Sequence, residues 1–142
     1  MFNLNKKASK KASKNKVFLG GTCNESLWRE DLIEMLEIDY FNPVVKDWTP
    51  ECQEEEKRQK GICHYRLYVI TPRMTGVFSI AEVVDDSNKF PEKTVFCIHK
   101  ENGDKDFDEG SKKSLDAVCE MVEDNGATVC KNLKEVAEFL NS

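Results

Sequence analysis

Several features that would assign a function at once are missing from this chain. No apolar run approaches the roughly 18 residues needed to cross a bilayer, and no apolar segment follows the N-terminal lysines. Neither a membrane anchor nor a secretory signal is therefore expected, and a cytoplasmic protein is. Cysteine and histidine never fall into C-x-x-C or H-x-x-x-H spacing. Cys63-His64 and Cys97-x-His99 come nearest, and neither lets two ligands reach one tetrahedral ion, so no metal is expected. G-x-G-x-x-G and the P-loop lysine are absent too, which weakens any reading of a glycine turn as a phosphate loop. Without a secretory segment, the six cysteines (Cys23, Cys52, Cys63, Cys97, Cys119, Cys130) are expected as reduced thiols.

Acid is missing from one place as well. Residues 1 to 16 hold six lysines and no Asp or Glu, so the remainder carries 15 of the 21 basic residues against all 26 acidic ones, a net charge of −11. Such a body repels nucleic acid, whereas the lysine tail could add a weak, salt-sensitive attraction to it. The near repeat KKASKKASK is low in complexity and cannot bury a core, so residues 1 to 15 are expected to be a disordered tail, solubilising or processed. Residues 16 to 142 suit one domain. At 142 residues a chain buries about two-thirds of its unfolded surface, enough for a sizeable core.

The stretch from Tyr65 to Val84 organises that domain. Leu67, Tyr68, Val69 and Ile70 predict a strand buried on both faces, ended by Thr71-Pro72. After Gly76, the residues Val77, Ile80, Ala81 and Val84 recur at helical spacing and predict a stripe packed back on that strand. Glu82 sits in the first two turns of this helix between Ala81 and Val83, where a carboxylate is easily desolvated. Upstream, Lys16 to Leu19 predicts a strand that ends in Gly20-Gly21-Thr22, either a bare tight turn or a ligand contact. A helix from Leu27 to Glu37 follows, with Leu27, Leu32, Met35 and Leu36 inward and Arg29 toward water. Ile38, Tyr40 and Phe41 make a second strand. Thr49-Pro50 opens a helix whose run Glu54-Glu55-Glu56-Lys57-Arg58 is a solvated face. Lys93 to Ile98 is a fourth strand, Ser114 to Val122 a helix after an acidic loop that runs to Gly110, Thr128 to Cys130 a fifth strand, and Leu133 to Leu140 a closing helix. Strands alternating with helices argue for an α/β fold: a single flavodoxin-like or Rossmann-like domain whose five-stranded parallel sheet carries helices on both faces.

Gly76 followed by Ala81-Glu82 after a hydrophobic strand, together with the Leu19-Gly20-Gly21-Thr22 turn, resembles the nucleoside 2-deoxyribosyltransferase family over roughly residues 16 to 100. The resemblance implies a nucleoside or nucleotide substrate, a homo-oligomer and no cofactor. It also implies that the helix glutamate, Glu82, is the nucleophile that takes the sugar at its anomeric carbon. One position departs from the family pattern. His64 stands where an aspartate associated with base or sugar is usual. With an unperturbed pKa near 6.5 it could protonate a departing base, or it could be structural.

Ligands of such sheets bind beyond the carboxyl ends of the strands. Gly20, Gly21, Thr22, Asn42, Asp47, Trp48, Met74, Gly76 and Ser79 all follow strand ends, so a single pocket gathering them around Glu82 is expected. In it Thr22, Asp47 or Ser79 would fix sugar hydroxyls, and Trp48 and Met74 would wall the base, unless Trp48 merely plugs the domain edge. Cleavage of an N-glycosidic bond is the expected chemistry, with a second base or water as acceptor. A non-catalytic nucleotide-binding module and a nucleic-acid-associated protein are the rival readings.

Overall fold

A computed structural model describes residues 15–142. The expectations attached to the N-terminal lysine tail lie outside the described residues. The elements run β1 (Lys16–Gly21), α1 (Trp28–Met35), β2 (Asp39–Phe41), α2 (Pro50–Ile62), β3 (Tyr65–Ile70), α3 (Phe78–Lys89), β4 (Thr94–Ile98), α4 (Glu109–Asp124), β5 (Thr128–Cys130) and α5 (Leu133–Asn141). All four strand pairings are parallel, in the order β2-β1-β3-β4-β5. This is the expected α/β fold with a flavodoxin-like strand order.

The sheet is buried on both faces because its central strands present apolar residues both ways. Val17, Leu19, Leu67, Val69, Val95 and Cys97 meet Trp28 and Leu32 of α1 and Leu133, Val136, Ala137 and Leu140 of α5. On the opposite face Tyr68, Ile70 and Phe96 meet Val83 of α3 and Leu115 and Val122 of α4. Caps delimit three of the helices. Thr49 Oγ1 accepts from the Cys52 N–H ahead of Pro50, Asp108 Oδ1 from Ser111 N–H, and Asn132 Oδ1 from Glu135 N–H. The Asp108 cap starts α4 at Glu109, where the sequence suggested an acidic loop continuing to Gly110.

Two helices turn a different face inward from the one their apolar spacing suggests. In α1 the buried residues are Trp28, Arg29 and Leu32, while Leu27 is 61% exposed. Arg29 is drawn in because its guanidinium finds backbone carbonyls of the β1 turn. In α3 the buried residues are Val83, Asp86 and Ser87; Ile80 and Val84 pack at the margin, and Val77 and Ala81 are exposed. Asp86 is drawn in by Arg66 and Tyr68 of β3. The helix flank toward α2 borders a cavity instead of a packed core.

Candidate active site

The turn after β1 is built from the backbone outward. Gly21 adopts φ +119°, and a Cβ there would lie 2.0 Å from the Val69 carbonyl oxygen; a Cβ on Gly20 would lie 2.8 Å from the Tyr68 ring. Both glycines are therefore required by the close approach of β1 to β3. Thr22 N–H donates to the Val69 carbonyl (2.9 Å), and Thr22 Oγ1 accepts from the Thr71 N–H (3.0 Å), which ties the two strand-end turns together. The Thr22 carbonyl takes Trp28 Nε1 (2.9 Å) and Arg29 Nη1 (2.8 Å), and Arg29 also donates to the Leu19 (3.0 Å) and Gly21 (3.3 Å) carbonyls. Thr22 is thus a buried hydroxyl whose oxygen braces the turn, and Arg29, expected toward water, satisfies the acceptors of the turn.

A cavity of about 520 Å³ descends between α2 and α3, with Trp48 and Phe78 at its mouth and Phe18 of β1 among its walls. Glu82 lines it, as do Glu56, Lys57 and Lys60 from α2 and Asp85 and Asp86 from α3. Trp48 is held loosely, its indole N–H 3.4 Å from Glu56 Oε2. The Glu82 carboxylate is not free: Lys60 Nζ donates to its Oε2 at 3.1 Å, and among the described residues Oε1 has no hydrogen bond. Burial pushes the Glu82 carboxyl above its ordinary range. The Lys60 ammonium opposes that shift, and the nearby Asp86 and Glu56 carboxylates add to it.

Behind Glu82 lies a set of charges that sequence patterning did not disclose. Asp86 is buried and accepts from Arg66 Nη1 (2.9 Å) and Tyr68 Oη (2.5 Å), and Lys60 Nζ lies 3.2 Å from its Oδ2. Burial, with Asp86 alongside, drives the Tyr68 hydroxyl pKa upward. Lys60 occurs in a run of charged residues with no local signal. Its partners are 22 and 26 residues away along the chain, so only the fold reveals the pairing.

The single expected pocket is divided. Trp48 and Glu82 share the large cavity. Gly21, Thr22, Met74, Gly76 and Ser79 border a separate hollow of about 180 Å³, and Phe78, 74% exposed, is common to both. Gly20 borders neither, being covered by Tyr68. Asn42 lines a third hollow of about 280 Å³ against the first half of α2, and its Oδ1 accepts from the Val44 N–H. Asp47 is exposed and lines none of these. His64 is not brought to Glu82. It sits at the amino end of β3, exchanging two bonds with Lys16: its N–H donates to the Lys16 carbonyl (2.8 Å), and its Nδ1 accepts from the Lys16 N–H (3.0 Å). All six cysteines are free thiols, and no cluster of three or more His, Cys, Asp or Glu suited to a metal occurs among the described residues. No helix among them is long and apolar enough to cross a membrane.

Topology and site together define an α/β protein of flavodoxin-like order with a carboxylate-lined cleft between two helices on one face of its sheet. Residues 14–101 match the family described as nucleoside 2-deoxyribosyltransferase like. The chain belongs to that family. No curated protein matches it.

Proposed function

We propose that residues 16–142 act as one domain that transfers a deoxyribosyl group of a nucleoside, with Glu82 as nucleophile. The observation that carries this reading is the Glu82 carboxylate on the wall of a cavity edged by Phe18, Trp48 and Phe78, with one oxygen engaged by Lys60 and the other without a partner among the described residues. A partly desolvated carboxylate is a better nucleophile than a fully hydrated one, and aromatic rings beside it offer faces for a base. Glu82 Oε1 would attack the anomeric carbon as the bond from that carbon to the base nitrogen breaks. The base leaves with the electron pair and takes up a proton from solvent. A second base then attacks the same carbon and releases the glutamate, with net retention through two inversions; water in its place would make the reaction a hydrolysis. Family membership supports the transferase form.

Incubation with a deoxynucleoside and a second free base should yield the exchanged nucleoside. Glu82→Gln should lower the rate at least about 1,000-fold while leaving nucleoside binding in place. Undiminished exchange by that variant would remove the nucleophile assignment. The Lys60–Glu82 ion pair favours one rival, a non-catalytic nucleoside-binding module, because paired carboxylates are commonly structural. That reading expects retained binding with no base released by the parent protein.

A further inference from the structure

We propose that Lys60 is a positioning residue for Glu82: its ammonium, anchored on Asp86, holds Oε2 of the glutamate so that Oε1 stays unengaged at the cavity wall. This rests on the nucleophile reading and extends it to how the carboxylate is aimed.

Lysine is ordinarily a poor positioning group, since its flexible stem lets the ammonium wander. Here the wandering is restricted at both ends. The Lys60 carbonyl accepts from Arg66 Nε at 3.1 Å, so the backbone is tied to β3. The ammonium meets Glu82 Oε2 at 3.1 Å and Asp86 Oδ2 at 3.2 Å, and it lies 5.9 Å and 5.5 Å from the ring centres of Phe18 and Tyr68. Its side chain is 18% exposed. Asp86 is itself immobilised by Arg66 Nη1 and Tyr68 Oη. Arg66 in turn stacks on Phe90, with its guanidinium carbon 4.3 Å from the ring centre. Two cations and two anions therefore form a neutral set, in which both Asp86 oxygens are engaged by the others or by Tyr68 while Glu82 is held through Oε2 alone.

The other charged groups near Glu82 do not replace Lys60. From α2 come Glu56, an acid, and Lys57, which lines the cavity without bonding to Glu82; from α3 comes Asp85, already paired with Lys89 at 3.1 Å. On the sheet side, Arg66 and Tyr68 act on Asp86, and Phe18 carries no charge. Removing the Lys60 ammonium would leave Glu82 and Asp86 facing each other with only Arg66 to balance them. The charged form of Glu82 is then disfavoured, so its titration moves to higher pH and the ionised nucleophile is lost earlier as pH falls.

The test follows the Glu82 carboxyl carbon by 13C NMR across pH in the full chain, with the resonance assigned by its disappearance in Glu82→Gln. Lys60→Met should raise the titration midpoint by about one pH unit or more. The acid limb of kcat for base exchange should shift by the same amount, with kcat lowered and KM little changed. Lys60→Arg, which restores a cation, should return the midpoint toward that of the parent. An unmoved midpoint in Lys60→Met overturns the proposal whether or not turnover is seen, and so does a moved midpoint with an unmoved acid limb. A moved midpoint with exchange that survives Glu82→Gln instead removes Glu82 as the nucleophile and leaves Lys60 controlling a carboxylate that performs no chemistry.

Discussion

At position 21 a glycine answers to its neighbours on β3. The peptide of Val69 occupies the space a side chain would need, and φ +119° is a conformation L residues avoid. Gly76, by contrast, has nothing within 4 Å of where a Cβ would stand. Gly21→Ala should therefore cost at least about 3 kcal/mol or prevent folding, while Gly76→Ala should change stability by no more than about 0.5 kcal/mol. Urea unfolding midpoints of the two variants check this, and equal effects would contradict the close-approach account. Both glycines are plain in the sequence, but whether a turn glycine admits a ligand or a neighbouring strand is not. Thr22 shows the same ambiguity: a hydroxyl beside two glycines suggests a ligand contact, and its oxygen accepts from the Thr71 N–H while the residue also borders the smaller hollow. Arg29 is the reverse case, a charged residue that three backbone carbonyls make worth burying.

Among the helices, α2 buries the fewest residues. Gln59 is its one buried residue, and the Gln59 amide oxygen is buried with no partner among the described residues. The helix begins well, with the Thr49 cap and Pro50, but its inward flank faces the cavity, so it gains little from packing. Gln59→Met removes an unsatisfied acceptor while keeping length and flexibility, and should raise stability by about 1 kcal/mol. The hydrogen bond from Gln59 to Glu55 is lost, yet Arg58 still holds both Glu55 oxygens at 2.8 Å. Chemical denaturation decides it, and a fall in stability would mean that the amide oxygen has a partner in solution. Helix existence was legible throughout from spacing and caps. Helix rotation was less so in α1 and α3, because in each a charged residue with a partner on the turn or sheet outweighs one or two apolar positions.

For the molecule as a whole, the two sides of the sheet are covered differently. On one side α1 and α5 pack on the apolar residues of β1, β3 and β4, whereas on the other the large cavity opens between α2 and α3. Native-state amide exchange should follow that difference, with β1, β3 and β4 protected to the level of global unfolding and α2 opening well below it. Slow exchange in α2 equal to that of β3 would show the cleft helix to be as firmly held as the core. Composition, strand runs and helix spacing determined by themselves that this is an α/β chain with a parallel five-stranded sheet, and they pointed to Glu82, because those signals depend on residues close together in sequence. Which face each helix turns inward, the partition of the expected pocket into three hollows, the pairing of His64 with the Lys16 backbone and the Lys60–Glu82–Asp86–Arg66 set were decided only by tertiary structure. These depend on pairs far apart along the chain, whose charges and carbonyls meet only once the strands are in register.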